Sequence, residues 1–153
     1  MSDDLSARLL RLETIEASRD LLAEYAAAVD GRDLDRLARV FAPDAVLTAP
    51  GRRFEGVDAI VGFYRTAFAD DPSPRRHFVT NVRVDAATAT TAALSAYFLY
   101  TAGTAAKSIL GWGRYADRFG VVGLELRMTS KDIVVDFRGP VEATWGTDLT
   151  TAP

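Results

Sequence analysis

Cysteine is absent from this chain of 153 residues, and histidine occurs once. Without cysteine there are no disulfides, thiolate nucleophiles or cysteine metal sites. A single histidine then argues against a zinc centre, whose ligands are mostly cysteine and histidine, and no clustered acidic loop suggests a carboxylate site for Mg²⁺ or Ca²⁺. Long apolar runs are also missing: nowhere do about 18 apolar residues follow one another, so no spanning helix is expected. The opening MSDDLSARLL carries acids where a secretory leader would carry its apolar core, which makes the cytoplasm the expected location. Positive charge is scarce too. With a net charge of −3 and only the short basic pairs Arg52-Arg53 and Arg75-Arg76, the chain lacks the basic stripe of a nucleic-acid binder. Neither nucleic acid nor membrane is expected as a partner.

Phosphate- and cofactor-binding signatures are equally thin. The run Gly111-Trp112-Gly113-Arg114-Tyr115-Ala116 mimics a dinucleotide fingerprint, yet it lies in a strand pattern and opens no helix, so its amides would not converge on a phosphate. Glycines there suit a bulge or close packing in a bent strand. Neither a G-x-S-x-G elbow nor a G-x-x-x-x-G-K-[ST] loop occurs. No cofactor is expected.

What is present is the mix of a single globular domain: 48% hydrophobic and 25% charged residues. A chain of this length buries roughly 68–70% of its unfolded surface and needs no staples. We read residues 1–153 as one domain with a core over about 6–146 and irregular ends at Met1–Asp4 and Thr147–Pro153. Leu5, Leu9, Leu12, Ile15, Leu22, Tyr25, Ala26 and Val29 recur at helical spacing and predict a long helix from about Ser6 to Asp30, with Gly31 as its stop. A short helix over 33–41, a strand pair over 45–49 and 52–55, and a third helix over 57–69 follow. From Arg75 the texture turns β-branched and aromatic, giving strands over about 75–85, 90–101, 107–119 and 124–137.

Helices first and a strand meander afterwards is an α+β order. The expected architecture is a curved, mostly antiparallel sheet wrapped around the long helix, with two shorter helices. The stretch Ala93 to Tyr100 puts apolar bulk on both strand faces, so one face must meet helices and the other must enclose something or meet a partner chain. This predicts a pocket and a homo-oligomer, a dimer in the simplest case, with Phe98, Tyr100 and Phe119 near the partner or the pocket.

His77 is the one residue with obvious chemistry. Strict alternation would place His77, Val79, Asn81 and Arg83 on one face and Phe78, Thr80, Val82 and Val84 on the other. Taken alone, His77 is either a packed histidine satisfied by a backbone group or a general base, for which an ordinary pKa of about 6.5 suits it. Asp30 reads as a helix-terminal turn residue beside Gly31. Tyr25 sits on the apolar stripe with a hydroxyl that can serve substrate or backbone. Asn81 can orient a ligand or brace a strand, while Tyr97, Phe98 and Trp112 are either pocket walls for a flat apolar molecule or core. Asp117 and Arg118 should point to opposite faces, so at most one can serve a pocket.

Three segments together resemble the SnoaL-like family of the nuclear-transport-factor-2-like superfamily. The run from Tyr25-Ala26-Ala27-Ala28-Val29-Asp30-Gly31 through Phe41-Ala42-Pro43-Asp44-Ala45-Val46 is similar to its helical opening. His77-Phe78-Val79-Thr80-Asn81 is similar to its histidine strand, and Gly113-Arg114-Tyr115-Ala116-Asp117-Arg118 to its Gly-x-Tyr-x-Asp strand. The likeness extends from about Leu9 to Trp145. It implies a cone-shaped α+β fold with a small-molecule pocket. Among the superfamily's enzymes, scytalone dehydratase and hexachlorocyclohexane dehydrochlorinase use an aspartate at the end of the first helix to hold a sheet histidine that removes a C–H proton. Asp30 and His77 stand at those positions, and Arg118 at that of a pocket arginine. A second pocket histidine of scytalone dehydratase has no counterpart here. The resemblance thus implies a cofactor-independent lyase or isomerase acting on a small hydrophobic, cyclic or polyketide-like molecule, with His77 as base, Asp30 as its orienter, and Tyr25 or Arg118 stabilising negative charge. Polyketide cyclases and non-catalytic binders share the same pocket.

Overall fold

The structure, a computed structural model, describes residues 2–104 and 107–141. Helix α1 runs unbroken over Ser2–Gly31, α2 over Leu34–Val40 and α3 over Val57–Asp70. Six strands complete the fold: β1 Phe41–Ala49, β2 Arg52–Glu55, β3 Arg75–Ala87, β4 Thr91–Thr104, β5 Lys107–Val122 and β6 Glu125–Val141. The chain from Ser2 to Asp4, expected to be irregular, is the first turn of α1. Met1, Trp145 and the expected irregular end Thr147–Pro153 lie outside the described residues.

The end of α1 is built with some care, because it carries Asp30. Arg32 N–H donates to Val29 O at 3.3 Å and Asp33 N–H to Ala28 O at 2.9 Å, the paired bonds of a Schellman cap. The left-handed residue of that cap is Arg32 (φ +55°) rather than Gly31. Its guanidinium donates to Ser73 O at 2.7 Å, tying the helix end to the segment that leads into β3. Asp33 then starts α2, its carboxylate accepting from Arg36 N–H at 2.8 Å.

The sheet order is β2-β1-β6-β5-β4-β3. Only β1·β6 is parallel; the other four pairs are antiparallel. The expected α+β class and curved, mostly antiparallel sheet are therefore present. One face of the sheet packs on α1 and α3 around Leu22, Val29, Leu37, Phe41, Ile60, Leu94 and Met128. Register builds rows of side chains across that inner face. His77, Tyr100, Gly111 and Arg138 form one row, and Val79, Phe98, Gly113 and Val135 the next.

Two sequence expectations fail here for identifiable reasons. Alternation along β3 does not survive a bulge between Thr80 and Arg83, where Asn81 adopts φ +54°. An extra residue shifts the side chains that follow to the other face, up to a second irregularity between Val84 and Ala86: His77 and Val79 are partly buried before it, Val82 and Val84 after it. The leucine stripe of α1 is likewise uncovered at its start. Leu5, Leu9 and Leu12 are 54–65% exposed, whereas Ile15, Leu22 and Val29 are buried.

Candidate functional site

Asp30, the last full residue of α1 before the cap, reaches β3. Its Oδ2 accepts the backbone N–H of His77 at 2.9 Å, and its Oδ1 lies 2.6 Å from His77 Nδ1. A carboxylate at a helix C-terminus is opposed by the helix dipole, and these two contacts offset that cost. An ionised carboxylate only accepts, so the proton sits on Nδ1 and Nε2 is the imidazole's free basic nitrogen. Both side chains are nearly buried, at 13% and 12% exposure.

His77 lines a cavity of about 290 Å³ between the inner sheet face, α1 and α3. Its walls are largely apolar and aromatic, with Val29, Phe63, Phe98, Ile133 and Val135, and its polar groups are Tyr25, Tyr64, Tyr100, Tyr115, Asp71, Arg75 and Arg138. Tyr25 Oη and Tyr64 Oη are 2.5 Å apart. Since one of these hydroxyls donates to the other, the acceptor's own proton is free to point elsewhere. Burial pushes the phenols of Tyr25, Tyr64 and Tyr115 up from their ordinary value, so they act as neutral hydrogen-bond donors. Tyr100 stacks on His77 with ring centroids 5.4 Å apart, and its Oη accepts from Arg138 Nε at 2.6 Å.

That last contact depends on a glycine. A Cβ at Gly111 would lie 2.3 Å from the Tyr100 ring, and one at Gly113 would lie 2.9 Å from the Phe98 ring and 2.0 Å from Val134 O. The glycine pair that mimics a dinucleotide fingerprint lets two aromatic rings lie flat across β5 as the cavity wall.

Beneath the phenols is a fully buried ion pair. Lys131 Nζ donates to both Asp117 oxygens at 3.0 and 3.1 Å and sits 3.5 Å from the Tyr115 ring centroid and 4.1 Å from that of Tyr25. Burial pushes the Lys131 ammonium down and the Asp117 carboxyl up, each opposed by the partner's charge.

Of the residues selected from the sequence, His77, Tyr25, Phe98 and Tyr100 line this cavity, and Asp30 holds His77 from behind. Arg118 is a correction: facing away from Asp117, it lines a separate hollow with Ala86, Thr88 and Thr129. Asn81 and Tyr97 line a larger hollow of about 560 Å³ on the outer sheet face, the bulge having turned Asn81 away from His77. That hollow is wide but holds no histidine, and its Arg114 is paired with Asp136 at 3.0 and 3.1 Å. Trp112 also faces outward, stacked on Phe137 at 4.3 Å. Phe119, expected near a partner or the pocket, is buried in the core and borders the Arg118 hollow.

The sequence assigns no pocket role to Tyr64, Tyr115, Arg75, Arg138 or Lys131. Tyr64 comes from α3, and the positions of the other four follow from strand register, which a single sequence does not print. Lys131 left a trace, standing two and four residues before Ile133 and Val135 in an apolar alternation. Among the described residues, no group of acids and histidine is placed to hold a metal, and no helix is long and apolar enough to cross a membrane.

Comparison with the curated proteins gives no significant sequence match. Solved structures do match. The hexachlorocyclohexane dehydrochlorinase LinA-type3 from Novosphingobium barchaimii LL02 superposes with a TM-score of 0.83 at 19% identity, covering 92% of this chain and 99% of that one. A candidate scytalone dehydratase from Novosphingobium aromaticivorans DSM 12444 gives 0.76 at 17% identity, with 100% of both chains covered. A cystatin-like protein of unknown function from Nostoc punctiforme gives 0.66 at 15%, covering 77% and 87%. At such identities the likeness establishes the fold alone. The family model of the SnoaL-like domain matches residues 10–141, so this chain belongs to the SnoaL-like domain family, with a nuclear-transport-factor-2-like fold.

Proposed function

We propose that the protein is a cofactor-independent lyase or isomerase that moves a proton from carbon in a small, mainly apolar cyclic molecule. The carrying observation is the doubly bonded Asp30–His77 pair in the cavity wall. His77 Nε2 takes the C–H proton, and the bonding pair left on carbon forms a C=C bond. In an elimination, a leaving group on the neighbouring carbon departs with its own electron pair. In an isomerisation, the proton returns at another carbon. Asp30 holds the ring and stabilises the imidazolium once formed. The Tyr25–Tyr64 pair is the donor for a developing oxyanion, because a buried neutral phenol loses little by reorganisation. Arg118, from its position in another hollow, has no part in this reading.

The experiment is a screen of small cyclic carbon acids in D2O, read by deuterium uptake at carbon and by product formation. Uptake that requires His77 supports the proposal. A genuine substrate processed normally by His77→Ala would sink it, and would leave the histidine a structural residue.

A further inference from the structure

The same cavity carries two guanidinium groups that the proton-transfer chemistry does not use. Arg75 precedes His77 by two residues on the same strand face, and Arg138 lies in its cross-strand row. Arg75 is largely buried, and its Nε is shielded from solvent with no hydrogen-bond partner among the described residues. Leaving such a donor unmet forfeits the hydrogen bond it would make to water, a cost that a ligand acceptor removes. Arg75 Nη2 is engaged by Asp71, donating to its backbone oxygen at 2.5 Å with the carboxylate at 3.9 Å. That carboxylate also accepts from Ser73 N–H at 3.0 Å, so it is turned toward its own loop. Arg138 makes no ion pair within 4 Å among the described residues. Its Nε is pinned by Tyr100 Oη, which leaves the outer edge of a preoriented fork open. Asp30, behind His77, is already spent on that ring.

An arginine at a rim is ordinarily just solvated. Two arginines on one cavity, one with an orphaned buried donor and the other fixed by a tyrosine, are a different case. We infer that the substrate of this site carries a carboxylate: its ring lies against Phe63, Phe98 and Val135, and its anionic group meets Arg138 and Arg75. This rests on reading the cavity as the substrate site. A carboxylate next to the scissile C–H would also be where charge accumulates when His77 takes the proton, so the arginines would favour the transition state as well as the ground state.

The single histidine makes the test direct, since its imidazole NMR signals report this cavity alone. Benzoate, 1-naphthoate and cyclohexanecarboxylate are titrated against the wild type, with the three corresponding primary amides as neutral controls. At least one acid should shift the His77 signals saturably and bind at least tenfold more tightly than its amide. Arg138→Gln should erase that preference without weakening the amide. Arg138→Lys should restore part of it, and Arg75→Gln, checked for folding by its thermal melt, should reduce it. Sodium bromide is the control for a site that only receives a departing anion: displacement of the acid by millimolar bromide would overturn the inference. So would equal binding of acids and amides, no binding of any acid, or an acid preference untouched by Arg138→Gln. None of these outcomes bears on deuterium uptake, so the base role of His77 stands or falls separately.

Discussion

Asp30 grips His77 at two points, the backbone amide at 2.9 Å and ring Nδ1 at 2.6 Å. The first fixes where β3 lies against the end of α1, and the second fixes which ring nitrogen is free. A single carboxylate therefore couples strand position to imidazole tautomer.

Asparagine at this position offers one acceptor oxygen and an NH2 donor. Asp30→Asn should consequently satisfy only one of the two His77 donors, and the imidazole should lose its single tautomer. Nitrogen NMR of the lone histidine should show protonated Nδ1 in the wild type and a tautomer mixture in the variant. With a substrate in hand, turnover should fall by roughly 10²–10⁴-fold. An unchanged tautomer would show that Asp30 does not orient the ring.

Gly111 and Gly113 should differ in what they tolerate. At Gly111 the obstacle is the Tyr100 side chain, which can swing away. Gly111→Ala should therefore fold, lose about 1–3 kcal/mol to overpacking, and break the Tyr100–Arg138 bond. At Gly113 the closest atom is the backbone oxygen of Val134, which cannot move without shifting β6. Gly113→Ala should be the more destabilising of the two in urea melts, and the reverse order would contradict the packing described.

The Lys131–Asp117 pair should behave as a unit. Removing one partner leaves a buried charge alone, so Lys131→Met should cost about 3–5 kcal/mol. The double variant Lys131→Met, Asp117→Leu should recover much of that loss, because both desolvation costs vanish with the attraction. Chemical denaturation of the four proteins of this cycle checks it; additive losses would mean the pair is not coupled.

Three buried phenols set an alkaline limit. Their folded pKa values are raised by burial, so they contribute stability that is fully present below the ordinary tyrosine value of 10.0 and lost as pH rises toward the folded values. Lys131, whose pKa is lowered, works in the opposite sense below 10.5, but it is one group against three. Urea midpoints should drop steeply above about pH 10, and Tyr64→Phe should soften the drop. A flat profile there would contradict the burial of these hydroxyls.

The outer sheet face should be an interface between copies of the chain. Phe78 and Tyr97 are more than half exposed, and Trp112 and Phe137 stack beside them at 43% exposure each. Large apolar side chains exposed together on one face are the kind of surface that a partner covers. Sedimentation should show a homo-oligomer at micromolar concentration, and Trp112→Glu should dissociate it. A monomeric wild type would refute this expectation.

Much of the fold was legible because its signals are local. Leu22, Tyr25, Ala26 and Val29 keep the helical period, Gly31 and Pro43 punctuate the helical half, and the β-branched run from Arg75 announces the strands. The order of elements, the α+β class and the pairing of His77 with Asp30 follow from composition, period and a family resemblance. Which residues share the cavity does not, because that depends on strand register. One inserted residue at Asn81 reverses the faces of β3, so strict alternation sends Asn81 to the wrong side. Tyr100 and Arg138 join His77 only because four strands align in one row with a glycine between them. Lys131 finds Asp117 only where β5 meets β6. Local periodicity is written residue by residue along the chain, whereas register and bulges are settled by which packing buries the apolar face with every backbone group paired, and only the folded molecule decides that.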